Sequence, residues 1–179
     1  MNITSSKVVN ILLIVLLSVS STAFIYLSFF SDKKANPTSV SSDISVANKA
    51  LMINPIIGDP FDLNEVTSKV IVVNFWATWC GPCLIEIPAL ISLKNTYASD
   101  DLQIIGVSMD DSESTVKRFS QKNPFNYPIT MQSYFIRKKF GNIAAIPTTF
   151  VLDENLNIIK KFQGYHQKST LESVILSIL

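Results

Sequence analysis

Cysteine, histidine and charge are all scarce in this 179-residue chain, which has two cysteines, one histidine and 16% charged residues. Two cysteines cannot build a multi-disulfide framework, so a small secreted scaffold stapled by several bridges is excluded. Cys80, Cys83 and His166 are the only Cys and His side chains, too few to complete a tetrahedral zinc site of the usual kind. The formal net charge is +1, without the basic footprint of a nucleic-acid binder. No internal repeat is present. A soluble domain carries roughly 25% charged residues. The deficit here, beside 47% hydrophobic residues, means apolar mass beyond one core. The length allows one domain of about 100–150 residues plus an appendage.

The excess sits at one end. Val8 to Phe30 carries no charged residue. At about 1.5 Å per residue, a helix of that length crosses a hydrocarbon core of roughly 30 Å. The competing reading is a cleaved signal peptide with Ser21-Thr22-Ala23 as the cleavage site. A signal core ends after about 7–15 apolar residues, whereas this run continues past Ala23 to Phe30. No cysteine follows it, so lipid attachment there is excluded. Lys7 and the α-amine nearly match Lys33 and Lys34 across the span, so charge does not orient it. With Lys7 set aside, the remaining Lys and Arg equal the Asp and Glu in number. The chain therefore divides into a membrane anchor over 1–30, a Ser-, Asn- and Asp-rich linker over 31–55, and a globular domain over 56–179.

Within the domain, Val70-Ile71-Val72-Val73-Asn74-Phe75-Trp76 is largely β-branched and aromatic, as in a strand buried on both faces. Cys83 to Tyr97 places Leu84, Ile87, Leu90, Ile91 and Leu93 on one side of a helix. Leu102 to Val107 is a second buried strand, and Ser112 to Lys122 a polar helix capped by Asp110, Asp111 or Ser112. Tyr134 to Phe140 is a short helix ending at Gly141. Thr148 to Leu152 and Asn157 to Phe162 form a hairpin about Asp153-Glu154-Asn155, and Ser169 to Leu179 an amphipathic helix. This alternation predicts an α/β fold, a central mixed sheet flanked by helices, with one N-terminal transmembrane helix.

The chemistry concentrates where the first strand meets the first helix, at Trp76-Ala77-Thr78-Trp79-Cys80-Gly81-Pro82-Cys83. Two cysteines so spaced are a redox pair, part of a metal site, or inert thiols. The context favours the first. A helix N-terminus offers free N–H groups and a positive dipole end, which stabilise a thiolate. Pro82 suits the first turn, and Gly81 is expected to let the chain turn tightly. Cys80, at the tip, is the expected exposed nucleophile. Cys83, one turn in, is the expected buried resolving thiol. Trp79 is expected beside Cys80 as an apolar platform, with Trp76 packed beneath.

The segment Val73 to Cys83, its continuation Leu84-Ile85-Glu86-Ile87-Pro88, the later Ile146-Pro147-Thr148-Thr149-Phe150 and the earlier Pro60-Phe61-Asp62-Leu63 resemble the thioredoxin-like superfamily. The match is to its membrane-anchored TlpA/ResA type of thiol-disulfide oxidoreductase. The resemblance covers about residues 56–179 and implies a thioredoxin-like fold. It also implies a cis-proline at Pro147, facing the dithiol and presenting the backbone of Ile146 to an extended client peptide. Pro88 is expected to kink the helix. Plain thioredoxins carry a buried acid six positions before the first cysteine. Here that position is Asn74, which can hydrogen-bond but not carry a proton.

Glu86 stands three residues after Cys83, on a neighbouring part of the same helix face. It either accepts the proton that a buried Cys83 must lose or merely interacts with the helix dipole. The resemblance favours proton transfer. It also implies an enzyme that needs no cofactor beyond its own Cys80–Cys83 disulfide. Its implied partners are protein disulfide or thiol clients, such as apocytochrome c in cytochrome c maturation, and a transmembrane thiol-disulfide donor. The implied location is the periplasmic or extracytoplasmic face of the bacterial cytoplasmic membrane. Two alternatives stay open: a disulfide oxidase or isomerase on the same fold, and a copper-binding assembly module using Cys80, Cys83 and His166.

Overall fold

The computed structural model describes residues 52–179. The expected anchor, including Val8 to Phe30, and most of the expected linker lie outside the described residues. Among the described residues no helix is long and apolar enough to cross a membrane.

Strands β1 (Met52–Ile53) and β2 (Phe61–Asp62) form a small antiparallel pair, and β1 falls within the stretch read as linker. A 3-10 turn, Leu63–Glu65, follows. The remaining elements are β3 (Val70–Trp76), α1 (Gly81–Thr96), β4 (Leu102–Ser108), α2 (Glu113–Lys122), β5 (Ile129–Met131), α3 (Tyr134–Phe140), β6 (Thr148–Asp153), β7 (Ile158–Gln163) and α4 (Lys168–Leu176). The main sheet has the order β5-β4-β3-β6-β7. β4 runs parallel to β3 and β5, while β6 runs antiparallel to β3 and β7. This is the expected mixed sheet with helices on both faces.

Side chains of a strand alternate between faces, and β3 shows what that does. Val70, Val72 and Trp76 enter the core built with Ile87, Leu90 and Leu93 of α1, Val116 of α2, and Leu171 and Ile175 of α4. Ile71, Val73 and Phe75 enter the opposite core with Ile136 and Phe140 of α3. There Phe75, Phe140 and Phe150 meet edge-on or tilted, at 5.0–5.8 Å between ring centres. Each such ring contributes roughly 1.5–3 kcal/mol by leaving water.

Of the three cap candidates for α2, Ser112 accepts a backbone N–H of the first turn; Ser133, which the sequence does not single out, does the same for α3, and Gly141 closes α3 at φ +78°. Pro88 lies inside α1 without ending it.

The sequence pattern does not predict strand β5. It is three residues long, preceded by Pro128, and carries no period of its own. It forms because the edge of β4 has open hydrogen-bonding groups. Gly106 N–H donates to the Pro128 carbonyl at 2.9 Å, and Ile129 exchanges backbone bonds with Ile56 and Ile57 on its far side.

Gly106 is where this packing is tightest. A Cβ built there would lie 2.5 Å from Ile129 Cδ1 and 3.2 Å from Trp76 Nε1. Ile129 is fully buried, so its methyl has nowhere to retreat. Gly106→Ala is therefore expected to lower stability by about 1–3 kcal/mol, read as a lower urea midpoint. An unchanged midpoint would show that the core yields at this point.

Candidate active site

The dithiol sits where β3 hands the chain to α1. Cys80 is the N-cap of α1, and its sulfur accepts the Cys83 N–H at 3.3 Å. Cys80 and Cys83 are joined in a disulfide, with Cα atoms 5.3 Å apart. The expected exposure of Cys80 is not observed in this oxidised state. Only 6% of it is accessible, because its sulfur turns inward to Cys83, while Cys83 itself is 1% accessible. The exposed rim around it is Trp79, 70% accessible, with Gly81 and Pro82. Gly81 has no left-handed backbone, and a Cβ there would touch nothing. The turn therefore does not draw on glycine's extra freedom, since Gly81 is already the first helical residue. Trp76 is buried against Phe119 and Phe125.

Behind the disulfide lies a carboxylate. Glu86 is in the second turn of α1 and 1% accessible. Strand alternation turns Asn74 of β3 toward α1. Thr149 of β6, directly opposite Asn74 in the ladder, faces the same way. Asn74 Nδ2 donates to Glu86 Oε2 at 2.9 Å and to Thr149 Oγ1 at 2.8 Å, and Thr149 Oγ1 donates to Glu86 Oε2 at 3.3 Å. Glu86 Oε1 accepts the backbone N–H of His166 at 3.0 Å. Burial pushes Glu86 above the usual carboxylate range. The His166 N–H, the Thr149 hydroxyl, the charge on His166 and the Asn74 amide pull the other way. Tyr127 is also buried nearby. Its phenol is held above its usual range by burial and by the charge on Glu86.

Sequence reasoning missed Thr149 and the backbone role of His166. Thr149 reaches Asn74 only through the pairing of β6 with β3, which no local pattern gives. Nothing local marks His166, which lies 80 positions from Glu86. Cys80, Cys83 and His166 are not gathered as a ligand set: among the described residues no three His, Cys, Asp or Glu side chains cluster suitably for a metal.

Two further contacts hold the rim. Asp110, buried after β4, accepts Thr78 N–H at 3.0 Å, Thr78 Oγ1 at 2.6 Å and Ser108 Oγ at 2.8 Å. It thereby pins the loop that carries Trp79 and Cys80. The Ile146–Pro147 peptide bond is cis, and the Pro147 carbonyl accepts Gly164 N–H at 2.8 Å. Trp79, Met109 and Ile143 to Ile146 line an apolar groove of about 400 Å³.

Residues 30–175 match the Redoxin family. A thiol-disulfide oxidoreductase ResA of Bacillus cereus is 27% identical over 154 residues, covering 86% of each chain. The ResA of Geobacillus kaustophilus is 27% identical over 170 residues, covering 94% of this chain and 92% of its own. A solved thiol:disulfide interchange protein of the thioredoxin family from Chlorobium tepidum superposes with a TM-score of 0.65 at 28% identity, covering 71% of this chain and 91% of its own. StoA from Bacillus subtilis gives 0.60 at 25% identity, covering 68% of this chain and 92% of its own.

The buried acids make two outcomes measurable. An acid whose pKa is raised by folding adds stability below its unfolded value, about 4.3, and that contribution is lost as pH rises through the folded value. The melting temperature of Glu86→Gln relative to the parent is therefore expected to climb as pH is raised from about 4 to 8. A flat difference would contradict the burial argument. Asp110→Ala leaves the Thr78 N–H without its acceptor and is expected to cost about 1–3 kcal/mol in urea unfolding. A loss within error would mean that the loop is held elsewhere.

Proposed function

The chain belongs to the Redoxin family and is a thiol–disulfide oxidoreductase, and from this premise we propose that it reduces protein disulfides outside the cytoplasm. In this reading residues 8–30 tether it to the outer side of the bacterial cytoplasmic membrane. The observation that carries the reading is the fully buried Glu86 carboxylate, ringed by donors and three residues along the helix from Cys83.

The cycle starts from the reduced dithiol. Cys80, as thiolate, attacks a client disulfide. One S–S bond breaks, one forms between Cys80 and the client, and the first client sulfur leaves as a thiolate. Cys83 then gives its proton to Glu86. Its sulfur attacks Cys80, the bond from Cys80 to the client breaks, and the Cys80–Cys83 disulfide forms. Two electrons pass to the client, whose released thiolates take up protons from solvent. Glu86 passes its proton on and is ionised again. The dithiol is the redox group, and the cycle calls for no metal or organic cofactor.

The cis bond at Pro147 presents the backbone of Ile146 to the client, and Trp79 forms one wall of the apolar groove beside it. Asn74 holds Glu86 in place, while Trp76, Gly81 and Pro82 shape the dithiol turn. A transmembrane thiol-disulfide donor returns the electrons. Apocytochrome c thiols awaiting haem attachment are the client class that the family suggests. The reducing direction is supported by the Gly81-Pro82 dipeptide, which is that of reducing thioredoxins. Nothing in the site favours the oxidase, isomerase or copper alternatives over it.

The test is disulfide exchange with a peptide disulfide. Cys80→Ser is expected to abolish it, and Cys83→Ser to trap a covalent adduct. Glu86→Gln is expected to slow resolution about 100-fold. A dithiol potential of about −270 mV supports reduction, and one of about −120 mV overturns it in favour of oxidation.

A further inference from the structure

The ladder between β3 and β4 ends at Trp76 and Ser108, yet the two chains stay joined beyond it. Met109 N–H donates to the Trp76 carbonyl at 2.8 Å. Past that bond a carboxylate takes over from the backbone. Asp110 Oδ2 accepts Thr78 N–H and Ser108 Oγ, and Asp110 Oδ1 accepts Thr78 Oγ1. Ser108 Oγ in turn accepts the Asp110 N–H at 3.0 Å. Ser108 and Asp110 are buried, so a bond left unmade here is costly. Thr78 gives both its N–H and its hydroxyl to one carboxylate, and the loop cannot rotate there without breaking both.

Each end of this brace stands next to a residue of the apolar groove. Trp79 follows Thr78, Met109 precedes Asp110, and both line the groove with Ile143 to Ile146. The far wall is fixed separately, since the hydroxyl of the buried Thr148 donates to the Ala145 carbonyl at 2.7 Å. Among the described residues no charged side chain lines the groove. It runs from the residue before Cys80 to the residue before Pro147. A client cysteine bonded to Cys80, on a chain lying along Ile146, therefore sets its neighbouring side chain over the groove.

We propose that the Thr78–Asp110 brace fixes the spacing of Trp79 and Met109, and so makes the groove a subsite for a large apolar side chain next to the client's reacting cysteine. Trp79 and Met109 touch the client, and Thr78 and Asp110 are positioning residues. The proposal rests on the disulfide reduction given above and names the client class.

The brace matters because the two walls come from segments that only it and the Met109 bond hold together. Side-chain pockets beside a backbone-paired peptide confer specificity. A wall that is ordered only on binding forfeits part of the affinity. The carboxylate is also specific to the task. Three donors converge on its two oxygens, and an amide offers a single acceptor oxygen.

The experiment uses the full chain, reduced beforehand and freed of reductant, in single-turnover reduction of two symmetric peptide disulfides. Leucine flanks each cysteine in one peptide, and serine does so in the other. Reduction of each by dithiothreitol, which has no groove, corrects for intrinsic reactivity. The measured quantity is the ratio of the two half-saturating concentrations. In the parent the leucine peptide is expected to saturate at about tenfold lower concentration. In Thr78→Val and Asp110→Asn that preference is expected to fall to about threefold or less. Thr78→Ser keeps the hydroxyl and is expected to keep the parent ratio. A brace that serves stability alone weakens both peptides equally, and an unchanged ratio in Thr78→Val overturns the proposal. A parent that reduces both peptides without preferring leucine overturns it as well.

Met109→Ala reads the wall directly with the brace left in place. Its ratio is expected to fall too, and a parent ratio there overturns the subsite even if the brace variants fail to fold. The reading beneath fails in a different way. A reduced parent that reduces neither peptide faster than Cys80→Ser overturns disulfide reduction itself, and the subsite with it.

Discussion

Strand β3 is buried on both faces along its whole length, and that constraint organises everything else. A strand so placed cannot spend one face on solvent, so alternate side chains must serve two different cores. Six of its seven positions are apolar and do so. The seventh, Asn74, is polar on the face covered by α1. A buried amide must find partners, and the partners available are Thr149 across the ladder and Glu86 on the helix above. The polar centre behind the dithiol is thus a consequence of one amide in a strand that has no exposed side.

The same geometry accounts for the chemistry at the two ends of the site. At the surface, β3 ends and α1 begins within a few residues, so the positive end of a helix meets Cys80 at its N-cap. One turn deeper, the helix enters the core and carries Glu86 with it. Burial raises the free energy of the carboxylate, and its donors offset part of that cost. A carboxylate poised in this way holds a proton more readily than one in water. That is what the acceptor of a thiol proton must do. In the proposed cycle, the Cys83 thiol and the Glu86 carboxylate that takes its proton are therefore placed by one helix and set by the same burial.

Much of this was legible from local pattern. The β-branched runs of β3 and β4 and the Gly141 stop each follow from period or backbone chemistry, and the structure shows them where the sequence indicates, while it takes Ser112 from three cap candidates. Asn74, Cys80, Cys83 and Glu86 could be singled out because motif and helix spacing are short-range properties. Strand β5 was not legible, since three residues beside a proline have no period, and only the open edge of β4 gives them a strand. The inward turn of Cys80 was also beyond the sequence, since accessibility depends on what surrounds a residue.

By itself, the sequence determined the order of the helices and of strands β3, β4, β6 and β7, the dithiol at a helix start and the acid three residues on, because each rests on contacts within one or two turns of chain. Only the tertiary structure decided what that acid experiences. Asn74, Thr149 and His166 reach Glu86 across separations of 12, 63 and 80 positions. Donors brought together over such distances leave no mark in local pattern. They depend on strand register, on the helix lying over one face of the sheet, and on the turn at Gly164 that brings His166 back to the site.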